Sequence, residues 1–119
     1  MRREEDALRL KHMLEAARKA AGFAAGRTRD EIRRDDLLAF AIVRALEILG
    51  EAAGRVSPEC RARHDALPWA MMVGMRNRLV HGYFDINLDI VWDTVTTDLP
   101  PVIAALQDAV SEGRDEAQP

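Results

Sequence analysis

The sequence predicts an all-α fold, a compact bundle of four to five helices. Three observations carry this. Apolar residues recur at three- and four-residue steps over long stretches. Helix-ending and helix-starting residues, such as Gly26, Thr28, Ser57-Pro58 and Pro100-Pro101, fall between those stretches. The single alternating segment, Asp85 to Ile90, has no partner strand elsewhere in the chain. A length of 119 residues fits one domain with one core. The domain is expected over residues 1–110, with a polar, frayed tail over 111–119.

Glu4 to Ala25 reads as the first helix, with Ala7, Leu8, Met13, Leu14, Ala17, Ala21 and Ala24 on its apolar steps. Gly26 ends it. Thr28-Arg-Asp-Glu31 has the Thr-x-x-Glu form of a capping box and predicts a short helical turn. The second main helix runs from about Asp36 to Arg55. Leu38, Ile42, Ala45, Leu49, Ala52 and Val56 form one stripe, which Leu37, Ala41, Ile48 and Ala53 widen. Arg44, Glu47, Glu51 and Arg55 form its polar edge. So wide an apolar arc predicts burial on two sides, one inside the bundle and one against a second subunit.

Ser57-Pro58 breaks this helix, with Ser57 as N-cap of a short turn. Trp69 to His81 is the third main helix. Asp85 to Ile90 is a turn capped by Asn87 or Asp89, leading into a helix through Trp92 and Val95. Pro100-Pro101 opens a last helix carrying Ile103, Leu106 and Val110.

Hydrophobic residues make up 48% and charged residues 31%, an ordinary globular composition. The longest apolar run, Leu37 to Val43, is far short of the ~20 residues a membrane helix needs. The N-terminus has no apolar segment of signal-peptide type. Cys60 is the only cysteine, so no intrachain disulfide and no Cys/His zinc spacing is expected. A cytoplasmic protein, without metal or other cofactor, is the expectation. The net charge of −3 is unevenly spread. Residues 55–81 hold five arginines against two acids, whereas residues 82–119 hold one arginine against eight acids. Overall acidity argues against a general nucleic-acid binder but leaves room for a local anionic site.

That basic segment contains Gly74-Met-Arg-Asn-Arg-Leu-Val-His-Gly-Tyr-Phe-Asp85, where an apolar helix runs into a polar cluster. On a wheel of roughly 100° per residue with Arg76 at zero, Trp69, Met72, Val73, Leu79 and Val80 all lie within roughly 60°. Arg76 therefore sits in the middle of an apolar face, where a guanidinium is rarely buried without partners. Three readings are open. Arg76 pairs with Glu47 or Glu51, or it snorkels past its apolar neighbours to water, or it is presented to a cleft between subunits. Asn77 lies roughly 100° round and His81 roughly 140° round, so these two share a face.

A histidine at a helix C-terminus suits the helix dipole without any further role. Together, though, an arginine, an amide, an imidazole and a phenol are the groups that phosphodiester chemistry on RNA needs without a metal. Imidazole takes a proton from a ribose 2′-OH or returns one to the leaving oxygen. Guanidinium stabilises the charge on the phosphoryl group. His12 and His64 read as surface residues. Arg61 and Arg63, in a basic loop, are candidate phosphate contacts or simply solvated. Met71, Met72 and Met75 read as core filler, and Trp69 and Trp92 as core anchors.

The run Arg76-Asn-Arg-Leu-Val-His81-Gly-Tyr83 resembles the Arg, four residues, His, one residue, Tyr signature of HepT-type HEPN domains. Arg44 to Ala53 resembles the family's second helix. Leu67 to Pro100 resembles its motif helix and the segment after it. The likeness extends from about Arg9 to Val110. It implies an all-α homodimer with a composite cleft and a metal-independent endoribonuclease acting on RNA. It further implies the toxin of a type VII-like toxin–antitoxin pair. The partner would be a minimal nucleotidyltransferase antitoxin of the MntA type that adenylylates the motif tyrosine. Carried over, Arg76 and His81 are catalytic, Asn77 supports them and Tyr83 receives AMP. Arg78, with Arg61 and Arg63, is a candidate RNA contact.

Two other functional classes compete. One is a non-catalytic HEPN module that serves as binding or scaffold partner of a nucleotidyltransferase. The other is a plain structural bundle in which Glu47 or Glu51 holds Arg76.

Overall fold

Helix boundaries in this chain are fixed by side chains that satisfy the free backbone groups at each end. The computed structural model describes residues 2–81 and 86–117, with side chains for 4–79 and 86–113. Helix α1 spans Arg2–Ala24, and Gly26, at φ +72°, provides the left-handed turn after it. Helix α2 (Arg29–Arg34) starts at Thr28, whose Oγ1 accepts from the Glu31 N–H at 3.2 Å. Asp35 caps α3 (Asp36–Gly54) by accepting from the Leu38 N–H at 3.1 Å. Ser57 caps α4 (Pro58–Arg63) through the Cys60 N–H. Thr28 and Ser57 are the caps the sequence predicts.

Helix α5 spans Trp69–His81. Asn87, one of the two caps expected there, starts α6 (Leu88–Asp93) by accepting from the N–H groups of Asp89 and Ile90. The chain does not break at Pro100-Pro101. It continues through a π turn (Thr94–Asp98) into α7 (Leu99–Ala117), so one helical rod runs from Leu88 to Ala117. The Leu99 N–H reaches back five residues to the Thr94 carbonyl. Two prolines in the first turn of α7 cannot donate to carbonyls four residues back, and their rings clash with those carbonyls. The wider turn clears the rings, and Thr94 and Thr96 hydroxyls donate to the carbonyls of Ile90 and Trp92. Residues 111–117, expected as part of a frayed tail, continue this helix. The left-handed conformation expected at Gly82 falls outside the described residues.

Helix α3 lies at the centre. Both α1 and α5 pack on it, and α7 packs on α1. Met13, Ile42, Leu46, Leu49, Met72 and Leu106 are fully buried where these helices meet. No described segment is a strand, as the sequence predicts for this all-α bundle. No described helix is long and apolar enough to cross a membrane. Asp6, buried on α1, accepts from the Ser57 N–H at 2.9 Å and its hydroxyl at 2.6 Å, which ties the first helix to the α3–α4 turn. The second apolar side expected on α3 is present and uncovered by the described residues: Leu37 is 81% exposed, with Phe40 and Ile48 also exposed.

Candidate active site

Helix α5 carries the motif, and its start is anchored well away from it. The Trp69 indole N–H donates to the His64 carbonyl at 3.0 Å, and the Arg61 guanidinium lies 5.7 Å over the same ring. From there Met72 and Leu79 turn into the core. The helix approaches α3 so closely at Gly50 that a Cβ there would lie 2.3 Å from Arg76 Cβ and 2.7 Å from the Met72 carbonyl oxygen. Glycine is required at this crossing because no side chain fits. Its signal in the sequence is a lone glycine within an apolar helical stripe.

This crossing bears on the readings of Arg76. Its stem packs on Gly50, inside the chain. Glu47 is paired with Arg44 at 3.2 Å and Glu51 with Arg55 at 3.4 Å, and among the described residues no carboxylate pairs with Arg76. The apolar surroundings expected to belong to a subunit interface are α3 of the same chain, which is a correction to that expectation. The guanidinium itself snorkels. Its Nη1 donates to Asn77 Oδ1 at 3.2 Å. The bond draws the guanidinium from the buried side of α5 toward the Asn77 side. On the wheel that is the side on which His81, the last residue of α5, has its backbone position. Tyr83 lies outside the described residues.

Beside the motif is a cleft of about 680 Å³ between α5 and the α6–π segment. From α5 it is lined by Met71, Met75, Asn77, Arg78 and Leu79. The opposite wall is Ile86, Asn87, Ile90, Val91, Thr94 and Asp98. Arg78 is exposed and lines this cleft, whereas Arg76 does not. The structure thus brings Arg76, Asn77 and Arg78 to one end of α5.

Arg61 and Arg63 are elsewhere. Arg61 Nε donates to the Val56 carbonyl at 3.2 Å and its Nη2 to the Ala53 carbonyl at 3.1 Å, so it caps the C-terminus of α3. It stacks on Trp69, twelve residues before His81, a separation of roughly 18 Å along the helix. A bonded, stacked guanidinium at the far end of α5 has a structural task. Arg63 closes α4 at that same end and is exposed.

The α6 wall is held by charge. Arg29 pairs with Asp89 and Asp93, and Arg33 pairs with Asp89, clamping α2 to α6. The Arg33 guanidinium, followed by that of Arg29, holds the Asp89 carboxyl below its ordinary range. At the start of α2, hydrogen bonding from Arg27 lowers the Glu31 carboxyl, while the Leu38 N–H lowers Asp35. Sequence reasoning misses this clamp because its partners are about sixty residues apart and share no local pattern.

A helical bundle with the Arg-x4-His-x-Tyr sequence at one helix end is a HEPN-type domain. The chain belongs to the HepT-like ribonuclease family, whose family model matches residues 13–109. A protein of Caldanaerobacter subterraneus that carries an RNase name is 35% identical over 91 residues, covering 76% of this chain and 81% of that protein. A Methanocaldococcus jannaschii protein, also with an RNase name, is 32% identical over 106 residues, covering 87% and 88%. A Thermococcus cleftensis protein named for ribonuclease HepT is 41% identical over 61 residues, covering 51% and 56%. No solved structure matches the chain.

Proposed function

We propose that this chain is a metal-independent endoribonuclease and the toxin of a toxin–antitoxin pair. The observation that carries the reading is the state of Arg76. It is a guanidinium with no carboxylate partner among the described residues, held by Asn77 toward the His81 side of α5. An arginine kept for structure spends its donors on fixed partners, as Arg61 does on the Val56 and Ala53 carbonyls. One kept for a phosphate stays uncompensated until the phosphate arrives.

In this reading His81 takes the proton from a ribose 2′-OH. The freed oxygen attacks the adjacent phosphorus, and the 5′ oxygen of the next nucleotide leaves with a proton. Arg76 stabilises the negative charge that gathers on the phosphoryl oxygens, and Asn77 fixes its direction. The one motif histidine of each chain serves one of the two proton transfers. A homodimer with both motifs at one cleft supplies the second imidazole. Arg78 adds a contact to the RNA.

Regulation falls on Tyr83, two residues after His81. A nucleotidyltransferase of the MntA type adds AMP there, and the added phosphate repels RNA and fills the approach to the cleft. The relatives' RNase names and the family support the activity. The acidic net charge favours the competing scaffold reading, in which purified protein binds a nucleotidyltransferase and cuts nothing. Two measurements test the proposal. RNA cleavage is expected to persist in excess EDTA, and its loss on chelation contradicts the metal-free step. Intact mass after co-expression with the partner is expected to rise by one or more AMP units that map to Tyr83. An unchanged mass contradicts the mode of neutralisation.

A further inference from the structure

The cleft beside the motif has a chemistry that phosphate binding leaves unused. Its walls combine exposed apolar surface with polar groups whose own bonds are unfinished. Ile90 is 56% exposed and lies on the wall opposite the thioether side chains of Met71 and Met75. Flat aromatic rings pack well against methionine sulfur and aliphatic walls. On the α6–π wall, the exposed Asp98 side chain forms no hydrogen bond or ion pair with another described residue. On the α5 wall, Arg78 likewise has no carboxylate partner among the described residues. Thr94 is committed, since its hydroxyl donates to the Ile90 carbonyl at 2.8 Å. Asp98, one turn on from Thr94, lies on the same wall at the end of the π turn, and such turns recur at functional sites.

We propose that this cleft binds an unpaired guanine base of the RNA, with Asp98 and Arg78 as the residues that select it. The inference rests on the ribonuclease reading for the source of the base. The choice of guanine follows from donors and acceptors. A carboxylate offers acceptors only. Guanine alone presents two adjacent donors, N1–H and N2–H2, which a carboxylate accepts as a bidentate pair. Adenine and cytosine each set a ring-nitrogen acceptor beside their amino group, and that lone pair faces the carboxylate unfavourably. Uracil flanks its one N–H with two oxygens. On the other edge, guanine N7 and O6 match an arginine fork. Asn77 is the joint between the two functions. Its carbonyl oxygen accepts from Arg76, while the residue lines the cleft with amide donors to spare.

The test is binding, kept independent of cleavage by using 2′-O-methyl oligonucleotides, which lack the attacking hydroxyl. A labelled uridine-rich octamer with one central guanosine is expected to bind about ten-fold tighter than its adenosine counterpart, as one good bidentate contact provides. In Asp98→Asn one acceptor becomes a donor that opposes guanine's amino group. That variant is expected to lose the preference and to favour xanthosine monophosphate, which carries an oxygen at that position, over GMP. Equal binding of the two octamers overturns the inference, as does an Asp98→Asn variant that still prefers guanosine. GMP binding with no guanosine effect in the octamers makes a free nucleotide the ligand and overturns the RNA assignment. Cleavage of unmodified RNA is scored separately. Cleavage without guanine preference refutes this inference and leaves the ribonuclease reading standing. Guanine preference without cleavage does the reverse.

Discussion

Arg76 illustrates how one residue can be legible in sequence while its neighbours are not. The helical wheel puts it in an apolar face, and it is there. The wheel cannot show that its stem occupies the space Gly50 leaves on the neighbouring helix. Gly50→Ala is expected to destabilise the protein by about 1–3 kcal/mol, because the added methyl meets a Cβ and a backbone carbonyl rather than a movable side-chain end. The usual helix-propensity gain of about 1 kcal/mol for such a change is too small to offset a forced separation of α3 and α5. Chemical denaturation measures it, and an unchanged or higher midpoint contradicts the tight crossing. Arg61 is the opposite case. Its charge suggests a phosphate contact, but the Ala53 and Val56 carbonyls and the Trp69 ring hold it in a structural position. Composition cannot distinguish these uses of an arginine, since only the neighbours differ.

At the scale of elements, caps and apolar periodicity are enough to locate α1, α3 and α5 within a residue or two. Thr28, Asp35, Ser57 and Asn87 act as caps through local bonds that span two or three residues. The π turn is not legible. Two prolines normally start a new helix, whereas here the rod continues through the π turn and α7 packs on α1. The α2–α6 clamp is also tertiary. It makes a pH prediction whose sign comes from Asp89, Glu31 and Asp35, all held below their ordinary values. The unfolded chain protonates these groups first as pH falls. Their contribution is therefore fully present above about pH 4 and is lost as pH falls through the lower folded values. Thermal melts are expected to show a smaller drop in Tm from about pH 5 to about pH 3 for Asp89→Asn than for the wild type. Because these pairs are solvent-exposed, added salt should weaken them as well. Identical acid dependence in the two proteins contradicts the clamp.

For the whole molecule, charge and surface divide the tasks. The motif helix and its cleft lie on one side of α3. The exposed Leu37, Phe40 and Ile48 stripe points away from Gly50, by roughly 140° on the wheel for Leu37. The sequence indicates that α3 has two apolar sides, and it does, but the side nearest the motif is filled by α5. A shared cleft in a homodimer makes a direct prediction. Mixed Arg76→Ala and His81→Ala subunits, each inactive alone, are expected to recover a measurable fraction of cleavage, since one composite cleft then keeps an intact arginine and an intact histidine from different chains. No recovery after verified subunit exchange contradicts a shared cleft in which one arginine and one histidine from different chains suffice.

In the proposed reading, Arg76 and His81 perform RNA cleavage on a scaffold that does not need them to fold. The measurement is the cleavage rate of one RNA by wild type, Arg76→Ala and His81→Ala, with helicity and melting of each followed by circular dichroism. A loss of about 10²-fold or more is predicted for each variant, as removal of a general base or of a charge-stabilising donor entails, with the bundle intact. Cleavage by a folded His81→Ala protein at the wild-type rate would contradict it.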